Sequence, residues 1–444
     1  MLAVCLGLLQ VFDLAHHPVL TLSLLGLAFL WLPAAARRLE PAASHGAILL
    51  SALVLRLALV PLPLTLSDDA LRYLWDGRVT MAGFDPYTLP PAAPDLTPLR
   101  DDAWRRLPHT EIPTVYPPLA MTAFSIAIRL PFPLVAWKGI ATAADLGGCA
   151  LLLALARRRG IPPGRTIWYA WNPLVFLEIG GNGHVDALGV AAVIGAVLCL
   201  TPRRHLPGKR GEPEEVSSGW SAVWAAAGVL AKLAPAAVLP MWSRQSGRPG
   251  RFLAVAGGLV AMAFLPVVAA VRGIPPGLVR YGVSWEFNGP LFEPLWRLLA
   301  AAHVAPALAH GLDGLKHLTG IWTAWNFLYP LLYPQLLAKA LLGIGMIAVI
   351  VLSLAERDPV AGTGRLFGAL LLLAATVYPW YLLWILPFAA LTRHAAWLAL
   401  SALILLSYLP KIAGVPSIQL MPWVFLAIWV PFGILLLTTK GWKD

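Results

Sequence analysis

The stretch SDDALRYLWDGRV, residues 67–79, carries the side chains best suited to acid–base chemistry. It follows the apolar run AILLSALVLRLALVPLPLTL, so its acids lie where a hydrophobic segment ends. Ser67 is a typical N-cap residue, and Asp68 and Asp69 then fall in the first helical turn. A carboxylate close to apolar surface tends to have a raised pKa and can serve as a general base. The alternative interpretation is that the two acids only offset the helix dipole.

A helix continued from this start places Asp69, Tyr73 and Asp76 on one face, because they follow the helical repeat. On the same helix, Arg72 is within reach of Asp68 or Asp69. The stretch therefore offers Asp69 or Asp68 as a candidate base. Arg72, Tyr73 and Asp76 are candidate substrate-binding neighbours.

The glycine-rich segment GGNGHVDA, residues 180–187, holds three polar candidates: Asn182, His184 and Asp186. A continuous helix would not put His184 and Asp186 on one face, whereas a glycine-rich turn could. Amide and carboxylate groups of this kind are suited to pairing with sugar hydroxyls. The alternative is a capped turn in which Asn182 or Asp186 satisfies backbone donors. Asp and His side chains are also common metal ligands.

Lys232 is the only charged residue between Trp224 and Arg244. An ionisable group inside an apolar segment is costly and therefore indicates function. Its ammonium is suited to binding a lipid phosphate and to stabilising the charge that develops on a leaving group. The alternative is a lysine that snorkels to the membrane interface.

Aromatic and polar residues in three further motifs are candidates for a sugar pocket. They are Tyr116 in TVYPP, Glu286 and Asn288 in SWEFNGP, and Tyr378 and Trp380 in YPWY. Aromatic rings stack on the apolar faces of sugars. Tyrosine and tryptophan also concentrate at membrane interfaces as anchors, and with 19 tryptophans in the chain we expect the anchor role for most of them.

The composition predicts the elements that must position these side chains. Of the 444 residues, 59% are hydrophobic and 12% charged, with a mean hydropathy of +0.72. Several apolar runs reach the length of a membrane-spanning helix, and the period of a membrane barrel is missing. Forty prolines and 38 glycines predict broken or re-entrant helices. The net charge of +11 lies in scattered loops, so we expect no nucleic-acid partner, and the three cysteines have no paired spacing. The first 33 residues lack the pattern of a removed signal peptide.

Lysine and arginine accumulate in short loops on the cytoplasmic side of membrane proteins. Seven such segments hold 18 of the 33 Lys and Arg residues: 34–45, 157–165, 202–218, 243–251, 356–365, 392–394 and 440–444. The chain then surfaces on the opposite side at 65–115, 180–184, Lys232, 272–334, 378–380 and 410–419. This arrangement predicts about ten to thirteen spans. Every stretch with unusual chemistry falls on the outer face.

These segments define one membrane domain over residues 1–444. Within it, 65–115 is the expected catalytic first outer loop, 202–218 an inner linker, and 272–334 a second long outer loop. The first outer loop holds eight of the 22 acidic residues.

Six motifs in order across residues 50–390 resemble the bacterial GT-C integral-membrane glycosyltransferases, in particular their polyprenyl-phosphate-mannose-dependent branch. They are SDDALRYLWDGRVTMAGFDPY, PHTEIPTVYPPLA, WNPLVFLEIGGNGHVDAL, AKLAPAAVLP, FNGPLFEPLW and YPWYLLWILP. The resemblance implies that an acid of the first outer loop is the catalytic base. The four-residue spacing from acid to tyrosine favours Asp69, and Asp68 remains an alternative. Asp85 departs from the asparagine expected in the family.

The resemblance implies an all-α polytopic GT-C fold whose first outer loop carries short juxtamembrane helices. It further implies an inverting transfer of a hexose, mannose above all, from a polyprenyl-phosphate donor to a glycan or glycolipid acceptor. We expect this reaction on the outer face of the plasma membrane, without a cofactor and without a required metal. Lys232 would hold the leaving phosphate, with Arg280, Arg297 and Lys316 as less specific partners. The alternatives are a lipid-linked sugar carrier and a non-catalytic glycan-binding subunit, since broken helices also mark transporters.

Overall fold

The computed structural model describes residues 1–11, 14, 17–202, 218–413, 417–439 and 441–442. Most of the expected inner linker, 202–218, therefore lies outside the described residues. Within the described ranges the chain is helical and contains no β-strand; isolated bridges join residues 287 and 288 to Thr376.

The described chain forms 21 α-helices, joined by short 3₁₀ and π segments. The α-helices are α1 Leu2–Val11, α2 Pro18–Leu39, α3 His45–Leu57, α4 Asp69–Met81, α5 Pro118–Arg129, α6 Pro133–Arg159, α7 Ile167–Ala170, α8 Pro173–Phe176, α9 Asp186–Leu200, α10 Ser218–Ala231, α11 Leu239–Gln245, α12 Pro249–Val271, α13 Pro276–Ser284, α14 Phe292–Ala301, α15 Val304–Thr319, α16 Pro334–Ser353, α17 Pro359–Leu373, α18 Leu386–Thr392, α19 Ala395–Leu403, α20 Leu409–Ala413 and α21 Ser417–Thr438. The 3₁₀ segments are Pro94–Leu99, Asp102–Arg106, Pro163–Thr166, Ala234–Val238, Asn326–Leu332, Pro379–Trp384 and Ile404–Tyr408, and a π turn covers Leu177–Gly181.

Six helical stretches of the described chain are long and apolar enough to cross a membrane: Val19–Leu39, Pro133–Arg159, Pro249–Val271, Pro334–Ser353, Ala395–Ile412 and Met421–Thr438. The pair α14 and α15, bent by 70°, forms a seventh if it is counted as one span. Five shorter apolar helices, α3, α5, α9, α10 and α17, have 10–17 residues. The all-α polytopic fold is confirmed. The predicted ten to thirteen spans are reached only when the short helices are counted, because turns and breaks shorten the apolar runs seen in the sequence.

Six of the seven segments expected on the inner side meet at one end of the helices. Arg159 forms an ion pair with Asp358 at 2.7 Å, and Glu40 binds both Arg165 and Arg393. Gln245 donates to the Glu356 carbonyl at 3.1 Å, and the ring of Trp442 contacts that of His394. Loops distant in sequence are thus joined there by buried or half-buried charge pairs.

The expected first outer loop, 65–115, carries short helices at 94–99 and 102–106. Beneath it, α4 packs against α5 at Gly77, where a Cβ would lie 2.7 Å from the backbone of Phe124. In the core, α9 packs against both α6 and α10. This packing fixes α4, α9 and the end of α10 around a shared space.

Candidate active site

A cavity of about 750 Å³ opens where the outer segments meet. Its wall is formed by the start of α4, the loop at 108–117 and the residues that follow α10. The helices α13, α16 and α17 and the segment 374–384 also contribute to it. Five of the six segments that charge sorting placed on one face therefore contribute to the wall of one cavity.

Asp69 is the first residue of α4 and lies in the cavity wall, with 28% of its side chain exposed. Its Oδ2 lies 3.9 Å from Nδ1 of His184. Burial raises the pKa of Asp69, while attraction to His184 and Lys232 acts in the opposite direction. The side chain of Ser67 accepts a hydrogen bond from the Asp69 N–H at 3.3 Å. The N-cap residue is Asp68 and not Ser67, so α4 begins one residue later than expected.

Asp68 also lies in the cavity wall, but it is held by two cations. Oδ1 accepts from Arg106 at 2.5 Å, and Oδ2 accepts from Lys411 at 3.3 Å. The expected pairing of Arg72 with Asp68 or Asp69 is wrong. Asp68 is thus bound on both oxygens, whereas Asp69 pairs with no Lys or Arg in the described structure.

Arg72 instead pairs with Asp76, with Nε 2.9 Å from Oδ1. Its remaining donors bind the carbonyls of His109 and Ile112 at 3.0 and 2.7 Å, which fixes the outer loop over the cavity. Asp76 shares the helix face of Asp69 but lies about 10 Å further along the axis, since each residue rises about 1.5 Å. It does not reach the cavity wall, so a direct substrate contact does not fit its position.

Tyr73 and Tyr116 both line the cavity within an aromatic cluster. The Tyr73 ring stacks on Phe124 at 4.8 Å and meets Tyr116 edge-on at 5.0 Å. The Tyr73 hydroxyl lies 3.4 Å from Nδ1 of His184, directly behind Asp69. Tyr73 is thus connected to Asp69 through the His184 ring.

The three polar candidates of the glycine-rich segment lie behind the cavity wall rather than in it. Asn182, His184 and Asp186 are at most 3% exposed, and none of them lines the cavity. Gly183 adopts a φ of +71°, and this turn lets His184 point at Asp69 while Asp186 begins α9. Direct sugar contact, expected from the sequence, does not fit this placement.

Lys232 follows the end of α10 and lines the cavity. Both Asp186 oxygens accept from its ammonium at 2.9 Å, and the Trp384 indole donates to the same carboxylate at 2.6 Å. The ammonium also lies 4.7 Å above the Tyr381 ring. Lys232 is therefore held by a buried carboxylate, and its side chain keeps 23% exposure toward the cavity.

Tyr378 and Trp380 lie in a stack of four rings. Phe287 lies 4.6 Å from Tyr378, Tyr378 lies 4.6 Å from Trp380, and Trp380 lies 3.9 Å from His184. Both faces of the Tyr378 and Trp380 rings are thus covered, and only the edges of these two rings face the cavity. Stacking of a sugar on these faces, the expected role, does not fit the structure.

Glu286 and Asn288 do not line the cavity, and each is bound to another side chain of the protein. Glu286 pairs with Lys339 at 3.0 Å, and Lys339 is the residue that reaches the cavity. Asn288 is buried with a φ of +56° and accepts from the Trp429 indole at 2.9 Å. Both residues position the wall rather than form it.

Residues 7–244, more than half of the chain, match the family model described as alpha-(1->6)-mannopyranosyltransferase, N-terminal domain. The chain belongs to this mannosyltransferase family. No curated protein and no solved structure gives a significant match. The membership establishes a glycosyltransferase and sets aside the carrier and the non-catalytic subunit. The matched region of this mannosyltransferase contains Asp69, His184 and Lys232.

Several residues that line the cavity or bind residues close to it carried no role in the sequence interpretation. They are Glu178, Arg106, Lys339, Trp384 and Lys411. Glu178 is the only acid between Asp145 and Asp186, and an isolated ionisable residue in an apolar segment was the available signal. Among the described residues, no group of three or more His, Cys, Asp or Glu side chains is arranged to hold a metal ion.

Proposed function

We propose that this mannosyltransferase is an inverting enzyme that transfers mannose from a polyprenyl-phosphate carrier to a hydroxyl of a glycan or glycolipid. The proposal rests on one observation. The described cavity wall contains two carboxylates, and only Asp69 is free of a Lys or Arg partner. A free, partly desolvated carboxylate is what a general base requires.

In this reaction, Asp69 takes the proton of the acceptor hydroxyl while the oxygen attacks C1 of mannose. The bond from C1 to the phosphate oxygen breaks, and polyprenyl phosphate leaves on the opposite side, which inverts the anomeric centre. Phosphate is already a good leaving group, so a single carboxylate is enough. Glycoside hydrolysis differs, since a second carboxyl must there protonate the leaving oxygen.

The cations of the cavity wall support an anionic donor. Two N–H bonds of Lys232 can serve the two Asp186 oxygens, which leaves the third for a phosphate oxygen. Arg106 and Lys411 both bind the single carboxylate of Asp68 in the cavity wall, which leaves an excess positive charge there. Both positions suit the charge that develops on a leaving phosphate.

The apolar part of the wall supports a lipid tail. It is formed by apolar side chains of α13, α16 and α17, including Leu342, Met346, Leu370 and Leu371. The membrane-spanning helix α16 also exposes Ile344 and Ile347, each by more than 60%. An apolar wall beside exposed apolar surface is the environment that a prenyl chain requires.

Charge distribution supports a reaction on the extracytoplasmic face. At one end of α6, Trp137 donates to the Gly183 carbonyl at 2.6 Å, close to the site. The other end carries Arg157–Arg159, about 30 Å away at the helical rise of about 1.5 Å per residue. Basic residues favour the cytoplasmic side, so the cavity faces outward. Nucleotide sugars are cytoplasmic, and an outward cavity therefore favours a lipid-linked donor.

The test is transfer by the purified protein in liposomes supplied with a panel of polyprenyl-phosphate hexoses and glycan acceptors. We expect release of polyprenyl phosphate with the mannose donor and inversion at C1 in the product, read by NMR. Asp69→Asn should abolish transfer. Asp95→Asn, an exposed acid of the same loop, is the matched control and should keep wild-type rates. Full activity of Asp69→Asn would refute the base, and a retained anomeric configuration would refute the inverting mechanism.

A further inference from the structure

Glu178 is a fully buried carboxylate that the reaction described above does not use. It lies in the π turn Leu177–Gly181, a rare element that occurs often at functional sites. Its oxygens accept from Asn182 at 2.8 Å and from Tyr408 at 2.9 Å, and Oε2 lies 3.2 Å from Nε2 of His184. The turn is fixed from below, because a Cβ on Gly180 would lie 2.5 Å from the Arg56 carbonyl.

His184 stands between this carboxylate and the candidate base. Nε2 faces Glu178 at 3.2 Å, and Nδ1 faces Asp69 at 3.9 Å. Trp380 covers one face of the ring at 3.9 Å, and the imidazole is fully buried. No substrate reaches such a ring directly, so His184 can act only through Asp69.

Other charged and titratable groups surround His184. The Tyr73 hydroxyl forms a long hydrogen bond of 3.4 Å with Nδ1, and Tyr408 binds Glu178 on the far side. Asp186 and Lys232 neutralise one another at 2.9 Å. The Nε2 atom makes no aligned hydrogen bond, and such misalignment is common for catalytic contacts in structures without substrate.

We propose that Glu178 and His184 form a positioning pair that orients Asp69 and receives the proton it removes. This inference rests on Asp69 being the base of the proposed function. A base oriented by an imidazole and a buried carboxylate follows the arrangement known from nucleophile–base–orienter triads.

The acceptor O–H bond breaks and an O–H bond forms on Asp69. In the reacting complex Nδ1 of His184 exchanges its contact with the Tyr73 hydroxyl for one with Asp69, now 3.9 Å away, while its Nε2–H faces Glu178. The O–H bond on Asp69 then breaks as an N–H bond forms on Nδ1. The positive charge of the ring is balanced by the Glu178 carboxylate, and Asp69 is again an anion. When the product leaves, the proton returns through Asp69 to water.

The experiment compares Glu178→Gln and His184→Asn with the wild type in the liposome transfer assay. We expect kcat to fall by about 10- to 100-fold in both variants, within the range of general acid–base effects, with the donor KM within about twofold. The solvent deuterium isotope effect on kcat should rise, because proton transfer becomes slower. A purely structural role would not change that isotope effect.

Thr363→Val is the matched control, since it deletes an equally buried hydrogen bond, the one from Trp242, at the opposite end of the core. It should keep the wild-type kcat and isotope effect. If Glu178→Gln fails to fold, Tyr408→Phe removes one donor to the same carboxylate and should lower kcat by about fivefold, which corresponds to one hydrogen bond.

The outcomes separate this inference from the proposed function. If Asp69→Asn is inactive while Glu178→Gln and His184→Asn keep the wild-type kcat, the positioning pair is refuted and the base assignment stands. If Asp69→Asn is itself active, the base assignment fails and the pair with it. Loss of kcat without a change in the isotope effect would also overturn the inference.

Discussion

Removal of the Lys232 ammonium provides a quantitative test of the site. Lys232→Met keeps the length and apolar stem of the side chain but deletes its charge. The fully buried Asp186 carboxylate then keeps, among the described side chains, only the Trp384 indole as a donor. We expect a loss of both stability and transfer, for two separable reasons.

The Lys232–Asp186 ion pair determines the expected loss in the free energy of unfolding. At 2.9 Å and an effective dielectric constant of about 20, the Lys232–Asp186 attraction is about 6 kcal/mol before desolvation is counted. Loss of one partner of a buried pair costs about 3–5 kcal/mol, because the other charge stays buried and unpaired. Lys232 is 23% exposed, so we expect the lower limit, about 3 kcal/mol of unfolding free energy.

Thermal unfolding in detergent measures this change, and the double variant Lys232→Met/Asp186→Asn separates the two effects. Without either charge, stability should return to within about 1 kcal/mol of the wild type, the net worth of an ordinary hydrogen bond. Transfer should stay low, since no ammonium faces the leaving phosphate. An unchanged stability of Lys232→Met would refute the closed ion pair, and an active double variant would refute the phosphate contact.

Three further predictions concern the same cavity. Burial raises the pKa of Asp69, and a base must be ionised, so kcat/KM should fall as the pH decreases, with a midpoint above the ordinary carboxyl pKa of about 4. A kcat/KM that stays constant down to pH 4 would contradict this prediction. Gly189→Ala places a Cβ 2.2 Å from the Trp384 ring, so it should lower the free energy of unfolding by about 1–3 kcal/mol and reduce transfer. Gly147→Ala, which has open space around it, should change neither quantity, and thermal unfolding measures the difference. Lys411→Ala should raise the donor KM by up to about fivefold at low salt and less at high salt, and a salt-independent KM would argue against an electrostatic role.

The grouping of the loops could be predicted from the sequence because a membrane imposes it. Span length and the distribution of Lys and Arg separated the segments into two sets. In the described structure six of the seven segments of one set meet at one end, and five of the six of the other set line the cavity. The segment containing Glu40 and the one containing Arg393 are more than 350 residues apart, yet their side chains form an ion pair. Periodicity and charge were sufficient for this level of the fold.

The individual partners could not be predicted in the same way, since they depend on tertiary contacts. The i,i+4 rule identified Asp68 as a partner for Arg72, but the rule is equally satisfied by Asp76, and the loop carbonyls at 109 and 112 decided between them. Lys411 reaches Asp68 across 343 residues. Sequence spacing contains no information about a contact of that kind.

The ring stack from Phe287 to His184 has a consequence for the order of events. Phe287 is tied to the neighbouring segment by two backbone hydrogen bonds, to Ala375 at 3.0 Å and from Val377 at 2.7 Å, and it lies two residues from Trp285 in the cavity wall. Close-packed rings transmit a displacement instead of absorbing it. A sugar donor that presses on Trp285 would therefore be sensed at the buried imidazole without touching it. Binding of the donor and alignment of Asp69 would then be kinetically linked, so that Asp69 would be poorly aligned while the cavity holds only water.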